Sequence, residues 1–258
     1  GHIELTIPLA HTWFANAEGQ TSDFSNATAT AHWYIINAIE VFAEKNARAV
    51  VVLGNSITDG RGSTTDQQNR WTDNLSRRLL ENKSTKRVAV LNMGLGGNCI
   101  LNGGLGPTGR SRYNRDLFQQ EGVKYIILFE GVNDLGGYGD AVAKAKQIIE
   151  VYKQIIDEAH ERGIYVYGGT VMQFKGNNYY SENHEEGRQL LNDWIRNGGY
   201  FDGLIDFDKA MGSEDDPARL NPKFLFENDW LHPNADGYVH MGNCIDLELF
   251  SRMGSPAK

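Results

Sequence analysis

The stretch "RAVVVLGNSITDG", residues 48–60, decides the reading of this chain. Its first six residues are a nearly unbroken apolar, β-branched run, the pattern of a strand buried on both faces. The run then stops abruptly in small and polar residues around Ser56. A serine hydroxyl exposed at the end of a buried strand is a candidate nucleophile, provided the rest of the chain supplies a base, an acid to orient it and donors for an oxyanion.

Working outward, four more runs resemble the first: "RVAVLN" (87–92), "KYIILF" (124–129), "IYVYGG" (164–169) and "GLIDF" (203–207). Helical patterns lie between and after them, over 70–83, 141–163, 181–199 and from about Pro233 to Phe250. In 141–163, Ile148, Ile149, Tyr152, Ile155, Ile156 and Ala159 recur at three-and-four spacing, and Gly163 closes the pattern. Strand and helix alternate as in βαβ units, which predicts a five-stranded parallel sheet covered by helices on both faces. In such sheets ligands bind beyond the C-terminal strand ends. Those ends carry "GNSITDG", "MGLGGN", "EGVND" and "TVMQF", and the fifth strand is followed by a long loop ending in "NDWLHPN". Residues 1–46 break the rhythm. "ATATAHWYIINAIEVF" reads as one or two strands, so the expectation is a short β-rich segment over 1–46, read as the remnant or end of a preceding β domain, before a catalytic domain over 47–258.

In the last loop, Asp229 precedes His232 by three residues, a spacing that lets the carboxylate hold one imidazole nitrogen while the other faces Ser56. Pro233 stiffens the exit. The donors expected for an oxyanion are the Ser56 N–H, a glycine N–H in "GLGGN" and the Asn133 side-chain amide, each typically worth about 10²–10³ in turnover.

These blocks, in this order, resemble the SGNH hydrolases, also called the GDSL esterase/lipase family. The first family block, G-D-S-[LI], is "GNSIT" here, with Asn55 in place of the aspartate; the second is "NMGLGG", which maps the oxyanion glycine onto Gly97. The third is "GVND", with Asn133, and the fifth is "DWLHP", with Asp229 and His232. The likeness covers about residues 48–250 and implies a three-layer α/β/α, flavodoxin-like fold. It also implies a serine esterase without cofactor: Ser56 attacks, His232 moves the proton, Asp229 orients it. "GNSITDGRGSTTDQQNRW", "EGVNDLG" and "LLNDWIRNGG" further resemble a secreted subgroup acting on acylated plant polysaccharides. The implied reaction is deacetylation of a carbohydrate ester, outside the cytoplasm. A lipase or general esterase for longer acyl chains, and a catalytically weak carbohydrate-binding protein, are the alternatives. Asn55 can make many of an aspartate's bonds, so a modest retuning is expected rather than loss of activity.

Other features point elsewhere or nowhere. The net charge of −8, with no run of basic residues, tells against nucleic acid. No window approaches the roughly 18 consecutive apolar residues of a membrane span. The abrupt opening "GHIELTIPLAHTW" lacks the layout of a signal peptide and suggests that residue 1 is not the natural start. Three sequons, at Asn26, Asn74 and Asn82, carry little weight. The glycine-rich loop through 94–109 lacks a G-x-G-x-x-G opening into a helix, so no dinucleotide site is expected. Asp59, Asp66, Asp73 and "SEDDP" read as solvated loop rather than metal ligands. His160, His184 and His240 read as helix-face residues. Cys99 and Cys244 are expected as free thiols, a disulfide between them being the other option. Trp71, Tyr113 and Trp230 are the candidates for stacking on substrate, with Tyr179 and Tyr180 near the same loops, and core packing is the competing reading for each. Arg61 and Arg110 could grip an acidic sugar.

Overall fold

A computed structural model describes residues 2–4, 12–14, 28–30 and 40–256. In the N-terminal region it contains four short strands, β1 (His2–Glu4), β2 (Thr12–Phe14), β3 (Thr28–Thr30) and β4 (Glu40–Phe42). β1 pairs antiparallel with β4, and β2 with β3. β3 and β4 fall within the 27–42 stretch expected to hold one or two strands, and residues 31–39 lie outside the described residues.

From residue 48 the order is β5 (Arg48–Gly54), α1 (Ser56–Asp59), α2 (Trp71–Glu81), β6 (Val88–Gly94), α3 (Gly109–Tyr113), β7 (Val123–Phe129), α4 (Val132–Leu135), α5 (Ala141–Glu161), β8 (Tyr165–Gly169), α6 (Glu182–Asn197), β9 (Gly203–Ile205), α7 (Phe207–Met211) and α8 (Ala235–Cys244). The five strands expected from apolar runs are the five strands of one sheet, in the order β6-β5-β7-β8-β9, with every pair parallel. The fold is the three-layer α/β arrangement, with α2 packed on α8 and α5 on α6. Ala49 through Leu53 have no solvent exposure, which explains why β5 carries no alternation of polar residues.

Local chemistry sets the helix ends. Asp140 caps α5 by accepting from the Val142 and Ala143 N–H groups. Gly163, at φ +70°, ends it, with the Ile164 N–H returning to the Ala159 carbonyl. The stretch from Pro233 to Phe250, expected as one helix, is instead α8 followed by a separate 3₁₀ turn over Leu247–Ser251. Asp246 breaks it: the backbone is extended at Ile245 and Asp246, and the Asp246 carboxylate accepts from the Glu248 N–H to start the second turn. The loop expected after the fifth strand begins with α7 and includes a 3₁₀ turn at Pro222–Phe224. No helix among the described residues is long and apolar enough to cross a membrane.

The strand order reverses direction at β5, which has β6 on one side and β7 on the other. A crevice therefore opens beyond the C-terminal ends of β5 and β7. The loops bearing Ser56 and Asn133 leave the sheet there.

Candidate active site

Ser56 is the first residue of α1, and the residue before it starts that helix. The Asn55 backbone is extended, and its Oδ1 accepts from the Ile57 N–H at 3.1 Å. This cap fixes the turn at which the chain leaves β5, and Gly60, at φ 107°, closes the helix four residues later. As the first helical residue, Ser56 has an N–H without an intrahelical acceptor.

Ser56 Oγ lies 2.8 Å from His232 Nε2, and His232 Nδ1 lies 2.6 Å from Asp229 Oδ2. A carboxylate only accepts, so Nδ1 carries the proton and Nε2 is left to accept from the serine hydroxyl. The other oxygen of Asp229 accepts from the Leu231 and His232 N–H groups, both at 2.9 Å. Glu227, Asn228 and Trp230 all have positive φ, a left-handed turn unusual for side chains of that size. Asn177 holds the turn from outside, donating to the Asp229 carbonyl at 2.6 Å. Burial pushes the His232 pKa below its ordinary value, against the opposing pull of Asp229. The ring is therefore largely neutral at pH 7, as a base must be.

Two further loops close around this row. In the second block, Asn92 donates to the Thr58 carbonyl at 2.7 Å and to Thr72 Oγ1 at 3.0 Å, and accepts from the Gly94 N–H. It thereby ties β6 to α1 and α2. In the third block, Asn133 Nδ2 donates to the Asn98 carbonyl at 2.7 Å, and Asn133 Oδ1 accepts from the Tyr179 hydroxyl at 2.9 Å. The Asn98 carbonyl, which can only accept, fixes which end of the amide is NH₂, and one amide hydrogen is left for another acceptor. Tyr179 approaches this closely because residue 136 is glycine; a Cβ there would stand 2.2 Å from the ring. Asp134 accepts from the Ile100 and Leu101 N–H groups at 2.9 Å each, joining the third block to the second.

Ser56, Gly97, Asn133 and His232 line one cavity of about 580 Å³, a volume suited to a small molecule. Asp59, Arg61, Ser63 and Glu227 give it polar walls, while Tyr179, Leu105, Phe226 and Leu231 supply apolar surface. The guanidinium of Arg61 makes no hydrogen bond or ion pair among the described residues. Burial raises the pKa of Asp59 against the attraction of Arg70.

The three aromatics expected to stack on substrate do not line this cavity. Trp71 is fully buried, edge-on to Phe129 at 6.2 Å and Phe207 at 5.4 Å, because the first turn of α2 points it into the core. Tyr113 lies against Phe118 and donates its hydroxyl to Glu158 at 2.8 Å. Trp230 is turned away by its left-handed backbone: its ring covers Gly176 and packs 4.9 Å from the Arg219 guanidinium. Cys99 and Cys244 are both free, Cys99 buried and Cys244 exposed. Arg110 holds Asn102 at 2.7 Å.

Beneath the site lies a buried cluster that motif reading did not reveal. Arg112 donates to the carbonyls of Gly54 and Met93, to Asn98 Oδ1 and to Asp116. Glu130, the last residue before the third block, is fully enclosed. Its Oε2 accepts from Asn55 Nδ2 and the Gly131 N–H, both at 3.2 Å, and its Oε1 faces Arg112 at 3.5 Å without a hydrogen bond. The available signal was a glutamate closing an otherwise apolar strand.

The family model for GDSL-like Lipase/Acylhydrolase proteins matches residues 52–239. Among curated proteins, none matches the chain. Solved structures of similar fold include a lipolytic protein of the G-D-S-L family from Desulfitobacterium hafniense, 18% identical, TM-score 0.55, covering 76% of this chain and 96% of that one. A GDSL-like lipase from Bacteroides thetaiotaomicron is 17% identical, TM-score 0.56, covering 78% and 87%. A carbohydrate acetylesterase family member from Sinorhizobium meliloti is 16% identical, TM-score 0.56, covering 78% and 96%. At such identities the likeness is one of fold, and it is the family match, over most of the sheet and all the blocks described above, that assigns the chain to the GDSL-like lipase/acylhydrolase family.

Proposed function

We propose that this chain is a serine esterase that removes short acyl groups, acetyl above all, from carbohydrate. The observation that carries the catalytic part is the continuous row Ser56 Oγ, His232 Nε2, His232 Nδ1, Asp229 Oδ2, with contacts of 2.8 and 2.6 Å. In this reading Ser56 Oγ attacks the ester carbonyl while Nε2 takes its proton. Asp229 stabilises the imidazolium so formed, and the carbonyl oxygen becomes an oxyanion held by the N–H groups of Ser56 and Gly97 and the free hydrogen of the Asn133 amide. The imidazolium then gives its proton to the leaving alcohol. A water, activated by the same nitrogen, releases the acid from the acyl-enzyme.

The substrate class draws on different support. A long acyl chain favours a continuous apolar channel, whereas this cavity mixes Asp59, Arg61, Ser63 and Glu227 with its apolar surface. A second cavity of about 520 Å³ shares Asn133 and has Tyr138, fully exposed, among its lining residues. An aromatic face beside a polar cleft suits a sugar ring, so the second cavity extends the site for a substrate longer than one residue. The acetylesterase from Sinorhizobium meliloti, a neighbour in fold, agrees with this reading. The same reading makes residues 47–258 the catalytic domain, residues 1–46 the end of a β-rich region, and the setting of the reaction extracytoplasmic.

The test is acid release from 4-nitrophenyl esters of increasing acyl length and from acetylated xylan and pectin, with Ser56→Ala as control. Fastest turnover is expected on acetate, with the mutant inactive. Tyr138→Ala is expected to raise KM on the polymers and leave 4-nitrophenyl acetate unaffected. Turnover that climbs with acyl length would replace this reading with that of a longer-chain esterase, and equal inactivity of wild type and mutant would favour a binding protein.

A further inference from the structure

The family's first block carries a carboxylate beside the serine, and here it carries an amide. Asn55 makes two bonds. Its Oδ1 caps α1, which an aspartate oxygen would do equally well. Its Nδ2 donates to Glu130 Oε2 at 3.2 Å, which an aspartate could not do without a proton. The donor at position 55 and the acceptor at position 130 are therefore complementary without any shared proton. Glu130 is also where the guanidinium of Arg112 is directed, and Arg112 holds the carbonyls of Gly54 and Met93 and the side chain of Asn98. The Asn98 carbonyl in turn accepts from the Asn133 amide. One buried acid thus bonds directly to the residue before Ser56 and to the backbone of the third block, and reaches the loop of Gly97 through Arg112.

We propose that Asn55 and Glu130 are a matched pair of positioning residues: their hydrogen bond joins the start of α1 to the strand end of β7 and sets the pose of Ser56 against His232. Neither side chain lines the catalytic cavity, so the pair acts through α1 and not on substrate. The groups that face Glu130 are Arg112 with its partner Asp116, Asp134 on α4 and Tyr152 on α5, whose hydroxyl bonds the Glu130 backbone. An aspartate at 55 would add a further carboxylate at about the 3.2 Å of the present bond. Two carboxylates that close cannot both ionise in a buried site.

The test is a swap, read on 4-nitrophenyl acetate with Asn55→Asp, Glu130→Gln and the double variant, each checked for a native far-UV circular dichroism spectrum and melting transition. Asn55→Asp is expected to lower kcat by at least about tenfold with KM unchanged, since couplings between contacting buried groups reach this size. Its rate relative to wild type falls further as pH rises, because the shared proton is lost; His232 titrates in both proteins and cancels in the ratio. In the double variant the amide introduced at position 130 can donate to the carboxylate introduced at position 55, and kcat is expected to return to within about threefold of wild type. Asn55→Asp with full activity, or a folded double variant whose loss equals the product of the two single losses, would overturn the pairing. If the single variants fail to fold, the double variant alone decides: folded and active supports the pairing, folded and inactive or unfolded overturns it. The inference rests on Ser56 as nucleophile; activity retained in Ser56→Ala would sink that reading, whereas an additive double variant beside an inactive Ser56→Ala sinks only the pairing.

Discussion

Arg112 and Arg188 are both buried beyond the C-terminal edge of the sheet, and their surroundings differ in a way that separates site from scaffold. Arg112 directs most of its donors to the strand ends and the loop that lead to candidate catalytic groups: the carbonyls of Gly54 at the end of β5 and Met93 near the end of β6, and the side chain of Asn98. Arg188, on α6, is held by Glu185 one turn away, by the Val171 carbonyl and by Asp208 on α7. Burial opposes the charge of Arg188, but Glu185 and Asp208 outweigh it and raise its pKa. Arg196 adds a second cation to Asp208, at 2.7 Å. The Arg188 cluster joins helix to helix and includes none of the residues of the row at Ser56. The Arg112 cluster joins the motif blocks to one another. A buried arginine demands a full set of acceptors wherever it lies; which loops supply those acceptors decides whether it serves stability or geometry.

The largest expected effect tests this contrast directly. Arg188→Met leaves Asp208 and Glu185 short of a cation and is expected to cost about 3–5 kcal/mol of stability. The kcat of the folded protein, measured well below its melting temperature, should stay within about threefold of wild type, since the cluster does not touch the site. Arg112→Met also strips a buried pair, but its kcat at the same temperature is expected to fall by at least about tenfold. Equal kcat losses in the two variants, by urea titration alongside steady-state kinetics, would erase the distinction.

A smaller effect sharpens it. Burial pushes the Glu130 carboxyl up to about 8 from its ordinary value of 4.5, against the attraction of Arg112 and the hydrogen bond of Asn55. With the folded value above the unfolded one, the native state binds the extra proton, so the contribution to stability is full below about 4.5 and is lost as pH rises towards 8. Melting temperatures across that window should therefore decline with pH by more in wild type than in Glu130→Gln. Identical slopes would show that Glu130 is charged at all these values.

The smallest effect belongs to Arg61, at the cavity wall. Its charge lowers the pKa of His232, after the larger contribution of burial and against the pull of Asp229. Arg61→Gln is expected to move the acid limb of kcat/KM towards higher pH, with kcat on the plateau unchanged. A shift in the other direction would mean that the group governing that limb is not His232.

What could be read from the sequence follows the same division. β5 was legible because five successive residues with no exposure leave a continuous apolar run, and the residues at 56, 97, 133, 229 and 232 were legible because short local patterns carry them. Ser56, Gly97, Asn133 and His232 line one cavity, and Asp229 bonds His232. Trp71 was open to misreading because one residue at the start of a helix can face either the rim or the core, and only Phe129 and Phe207, far along the chain, settle which. The end of α8 was lost because the apolar pattern continues past Asp246 while the backbone does not. Glu130 and Arg112 were invisible as a pair for a related reason. Nothing local marks two charges 18 residues apart as partners, although a glutamate closing a buried strand already demanded one.

The most direct test of the central claim is to treat the protein with a fluorophosphonate and measure its intact mass and tryptic peptides. The account predicts one stoichiometric adduct, on Ser56, formed faster as pH rises through the His232 titration and absent from Ser56→Ala and His232→Ala. An unlabelled Ser56 in a folded protein, or an adduct that persists in Ser56→Ala, would contradict it.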